Sequence, residues 1–139
     1  MPSFNKFHSF VQAVHEKKHN LATDTLKILL TNVAPVNTNT VKANLTEISA
    51  GNGYSAGGPT TAQVSSAQTS GTYKLVLSDV TVLASGGSIG PFRYAVLYND
   101  TATNDELIGW WDRGSSLTLA DGESCILDVD GTNGVFQTT

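Results

Sequence analysis

The chain has 139 residues, enough for one domain that buries about two-thirds of the surface its unfolded form exposes. A lone cysteine, Cys125, rules out an intramolecular disulfide, and no run of ~20 apolar residues is present to cross a bilayer, so we expect no membrane partner and a protein kept in a reducing cytoplasm. The net charge of −4 is uneven: residues 1–42 hold five of the eight Lys and Arg against two carboxylates, a balance of +3, and the other three cations face ten carboxylates, a balance of −7.

Such a basic head on an acidic body is not a nucleic-acid footprint, which wants a dense Lys/Arg stripe; Lys17-Lys18 is the single adjacent basic pair. Taken in chain order, residues 1–20 read as one amphipathic helix. Ser3 is placed to cap it, Phe4, Phe7, Phe10 or Val11, and Val14 recur at three- and four-residue steps, and Lys17 and Lys18 fall in the expected last turn, where the helix dipole favours cations. A helix of this length is marginal alone, so its phenylalanines must bury against the domain or against a partner.

At Thr25 the period changes to two, and Leu26, Ile28 and Leu30 mark a first strand that closes near Asn32. Residues 37–59 carry little periodicity and three Gly/Asn-rich turns, which reads as a long loop that is functional or is ordered by a neighbour, with Tyr54 in it a residue for partner contact. Tyr73, Leu75 and Leu77 alternate, then Val80 and Val82 take the other parity, which predicts a bulge or bend at Ser78-Asp79. Phe92 to Tyr98 and Leu107 to Asp112 read as one hairpin. Leu117 to Leu119 and Cys125 to Val129, joined by Asp121-Gly122, read as a second, and Val135-Phe136 as an edge strand. The sum is a mainly β protein: an antiparallel β-sandwich of about seven or eight strands over 24–139 with one N-terminal amphipathic helix, in a single domain.

The candidate chemistry is sparse. Gly86-Gly87-Ser88-Ile89-Gly90 fits the nucleophile-elbow pattern, but that elbow needs a helix after it, and here Pro91 and an alternating strand follow. His15 and His19 stand at the i, i+4 spacing of a zinc pair without further ligands nearby, and Asp128 to Gly134 is a calcium-like loop whose glycine comes too early. We therefore expect no enzyme, no metal and no cofactor. The adjacent Trp110 and Trp111 must point to opposite faces of their strand, so one indole is expected outside, available to a protein or, alternatively, to a carbohydrate ring. The expected contact residues are Phe4, Phe7, Phe10, Val11, Lys17, Lys18, Tyr54, Trp110 and Trp111.

Several strings carry a resemblance over almost the whole length. They are Ser3-Phe4-Asn5-Lys6-Phe7, His19-Asn20-Leu21-Ala22-Thr23-Asp24-Thr25-Leu26-Lys27, Ile48-Ser49-Ala50-Gly51-Asn52-Gly53-Tyr54, Ser70-Gly71-Thr72-Tyr73-Lys74-Leu75-Val76-Leu77 and Ile89-Gly90-Pro91-Phe92-Arg93-Tyr94-Ala95-Val96-Leu97-Tyr98-Asn99-Asp100. In these the chain resembles small virion structural proteins of tailed bacteriophages. The resemblance implies a structural part of the particle with no catalytic motif, made in the host bacterial cytoplasm. By analogy of size it implies a capsid decoration or cement protein binding the major capsid protein as a homo-oligomer or in many copies. A tail, neck or baseplate component and a carbohydrate-binding adhesion module are the alternatives.

Overall fold

The computed structural model of the chain describes residues 3–129 and 134–138. Its elements are β1 (Phe4–Lys6), α1 (His8–His15), β2 (Leu26–Thr31), a 3-10 turn (Lys42–Asn44), β3 (Thr60–Thr61), β4 (Gln63–Thr69), β5 (Thr72–Leu77), β6 (Val80–Leu83), β7 (Ile89–Asn99), β8 (Leu107–Leu119), β9 (Ser124–Leu127) and β10 (Phe136–Thr138). The fold is mainly β, antiparallel and sandwich-like, with one helix near the N-terminus. A five-stranded sheet of order β1-β8-β7-β2-β3 forms one layer, and a three-stranded sheet β10-β5-β4 and a two-stranded sheet β6-β9 face it. The described residues hold ten strands; β1 and β3, of three and two residues, are too short to leave a periodic signal.

The apolar pattern of β2 explains the layering. Leu26, Ile28 and Leu30 point inward, the first two meeting Leu75, Leu77, Val80 and Trp111 and the third meeting Val82, Ile89 and Phe92. Leu29 points the other way, into a second core with Phe7, Val96, Tyr98 and Leu107. Both faces of the large sheet are thus covered, and segment 37–59 wraps its edge, with Leu45 against the outer core and Ile48 and Tyr54 in the inner one. Tyr54 is the bolt: its hydroxyl donates to Glu47 Oε2 at 2.5 Å and accepts the Leu30 N–H at 3.0 Å, while Tyr98 donates to the Gly57 carbonyl at 2.6 Å. The expected long loop is present, and it is ordered by its own sheet.

Three sequence expectations are corrected here. The helix does not span residues 1–20, because Phe4, Asn5 and Lys6 pair with Trp111, Trp110 and Gly109 at the edge of β8; helix begins only at His8. It ends at His15, with Glu16 as C-cap and Lys17 in the left-handed region at φ 66°, so Lys17 and Lys18 follow the helix. The second hairpin does not form either. Leu117 and Leu119 continue β8 and pair with Phe92 and Ile89, whereas β9 pairs with β6, so Asp121-Gly122 carries the chain from one layer to the other. The Asp121 carboxylate accepts the Gly86 N–H at 3.0 Å and the Gly122 N–H donates to Ala84 at 2.8 Å, which ties that turn to β6. The parity change at Ser78-Asp79 is likewise a change of sheet, from β5 to β6, and β10 lies at an edge beside β5.

Candidate functional site: the cleft beside α1

An open cleft of about 1290 Å³ lies where α1 and the segment after it overhang the sandwich. Aromatic packing builds its floor. Phe136 on β10 meets Phe4 at 5.9 Å, Phe10 at 5.2 Å and Tyr73 at 6.1 Å between ring centroids, and Phe4 meets Trp111 edge-on at 5.4 Å. One wall is the exposed side of α1, where Val11 and Val14 stay 43% and 40% exposed. Lys6, Lys17 and Lys18 line the cleft and are in no ion pair among the described residues.

Of the nine expected contact residues the structure brings five together here: Phe4, Phe10, Val11, Lys17 and Lys18. Phe10 supplies floor and little surface, being only 5% exposed. The other four are elsewhere, and two of them are corrections. Phe7 is 0% exposed in the outer core, and Tyr54 is spent on bolting segment 37–59, so neither offers a surface to a partner. The two indoles diverge as their strand demands. Trp111 is buried in the inner core, while Trp110 is half-buried on the outer face, edge-on to Tyr94 at 5.9 Å, with its Nε1 enclosed and unpartnered.

The residue that sequence reasoning missed is His19. It is buried beside the Phe10 ring at 5.4 Å, and Asn99 Nδ2 lies 2.9 Å from its Nδ1. Asn99 Oδ1 accepts the N–H groups of Thr101 and Ala102, which fixes Nδ2 as the donating end, so His19 Nδ1 accepts and the proton sits on Nε2. That Nε2 is buried without a partner. Desolvation lowers the His19 pKa below its ordinary value, the negative charges of Glu106 and Asp24 pull it partly back, and Lys18 adds to the lowering. The Asp24 carboxylate is itself taken up by the Asn20 N–H at 2.8 Å and Asn99 Nδ2 at 2.7 Å. A partner 80 residues away left no local signal for this network.

The remaining motifs have local explanations. Ser88 runs straight into β7, with no helix after it, and its carbonyl accepts Asn52 Nδ2 at 2.9 Å. His15 and His19 do not share a helix face, because α1 ends at His15, whose Nδ1 lies 2.8 Å from the Val11 carbonyl. No group of three His, Cys, Asp or Glu side chains that could hold a metal occurs among the described residues. In the segment Asp128 to Gly134, residues 130–133 lie outside the described residues. No helix is long and apolar enough to cross a membrane among the described residues. No family model, characterised protein or solved structure matches the chain.

Proposed function

We propose that this chain is a structural component of a tailed-bacteriophage virion. Concretely, it is a capsid decoration protein, present in many copies on the assembled head, that docks to neighbouring subunits through the cleft beside α1. The observation that carries this reading is the convergence of Phe4, Phe10, Val11, Lys17 and Lys18 on one open cleft with an aromatic floor, an exposed valine wall and unpaired cations. Those are the elements of a protein contact: apolar area to bury at the centre and charge at the rim to orient approach. The floor is held by packing within the chain, so little ordering entropy is lost on docking.

A cleft of this kind gives a modest contact, and modest contacts suffice where many copies act on one lattice at once. The sequence resemblance to phage virion proteins supports the same setting. A carbohydrate module would need an aromatic face open to a sugar ring, and the half-buried Trp110 against Tyr94 gives that reading little to start from. Quantitative mass spectrometry of virions purified from the encoding phage tests the proposal. A copy number comparable with that of the major capsid protein is expected. A few copies per particle would move the protein to the tail, neck or baseplate, and its absence from mature particles would overturn the reading.

A further inference from the structure

We propose that the neighbour seated in the cleft is a second copy of this chain, which presents the outward face of its β6–β9 sheet. The inference rests on the reading of the cleft as a docking face and names its occupant.

The β6–β9 sheet carries the complement of the cleft. Residues 114–139 contain four carboxylates and no Lys or Arg. Three of the four, Asp121, Glu123 and Asp128, are exposed around β9, and Asp79 joins them at the entry to β6. In the β6–β9 register Thr81 faces Ile126 and Leu83 faces Ser124, so these four side chains share one face. That face points away from the core, since Val82 on the other parity is buried while Leu83 is 52% and Ile126 is 63% exposed. A two-stranded sheet with an apolar outward diagonal and a carboxylate frame is what a valine wall flanked by Lys6, Lys17 and Lys18 would bind. Two cations border that face: Arg93, whose charge is met by Asp112 at 2.8 Å, and Arg113, which donates to the Ser115 carbonyl at 3.1 Å and offsets one of the four carboxylates.

The two patches are built on different elements. The cleft is lined by Asn104 and Glu106 just before β8, and the acidic turn at Asp121 comes just after it. In the β7–β8 register the partners of Leu107 and Leu119 are Tyr98 and Ile89, nine residues apart, so the extra residues of β8 bulge and its two ends lie about 30 Å apart at ~3.3 Å per residue. Two different patches that match each other produce head-to-tail contacts between copies, and these close into rings or continue as filaments. Two carboxylates also line the cleft, Asp24, bonded to Asn20 and Asn99, and the buried Glu106, which accepts the Asn104 N–H, so the three lysines keep the lining cationic.

Sedimentation velocity on the purified full chain, from micromolar to about 1 mM and at low and high salt, tests this with two charge reversals at exposed positions. K17E/K18E alters the cleft and I126K/D128K alters the sheet face. The parent is expected to associate, more weakly at high salt, and each variant alone to associate at least roughly tenfold more weakly. An equimolar mixture of the two variants should recover association, because each supplies the charge the other now needs; thermal melts confirm that both variants are folded. A parent that stays monomeric, variants that associate like the parent, or a mixture that does not recover would each overturn the proposal. Copy number in particles judges the virion reading separately, so the two can fail independently.

Discussion

His19 shows how a single side chain couples the cleft to the sandwich. Its neutral form is the one the surroundings accept: Phe10 packs on it, Asn99 donates to Nδ1, and Nε2 has no acceptor. The pKa is lowered in the folded chain, so between that lowered value and the ordinary ~6.5 the unfolded chain holds a proton that the folded one does not. Binding more protons when unfolded means that stability is complete above ~6.5 and falls as the pH drops below it. Melting temperatures measured from pH 7.5 to 5 should therefore decline more steeply for the parent than for His19→Gln, which keeps an acceptor for Asn99 and cannot charge. Parallel declines for the two proteins would show that His19 does not titrate in this way.

At the scale of elements, the first strand and the cleft depend on one glycine. Phe4 lies over Gly109, whose added Cβ would come within 2.1 Å of the Phe4 ring and 2.7 Å of the Asn5 carbonyl. Gly109→Ala should expel the ring, unzip β1 from β8 and cost about 1–3 kcal/mol in denaturant unfolding, the usual toll of an overpacked core. A change below ~0.5 kcal/mol would mean that β1 is not held there. The same contact explains why the N-terminus was only partly legible in the sequence. Phenylalanines at positions 4, 7 and 10 keep helical spacing, but edge pairing with β8 claims Phe4 and leaves Phe7 as the extended residue before α1. A long-range partner overrode a local pattern. The second hairpin misled for a related reason: Asp121-Gly122 is a genuine turn, yet β7 is long enough to pair with Leu117 and Leu119, and β9 must find β6. The sandwich class, the β7–β8 pairing and the opposed indoles were readable, because strand period and strand geometry alone dictate them.

The whole molecule is electrically and sterically two-ended. Most of the basic excess of residues 1–42 sits beside α1, and the cation-free stretch that ends the chain frames the β6–β9 face. Charges separated in this way orient the molecule over distances of a Debye length, about 8 Å at physiological salt, and apolar contact at Val11, Val14, Leu83 and Ile126 must supply the rest. The sequence showed the asymmetry but not its placement, because only the fold brings the lysines to the cleft and gathers the carboxylates around β6 and β9. The central claim, that the cleft is a docking face of a particle component, is tested most directly by adding purified protein to virions of a phage deleted for it. The parent chain should bind saturably, and a V11E/K18E variant, folded by thermal melting, should fail to bind at the same concentrations. Equal binding by both proteins, or none by the parent, would contradict the account.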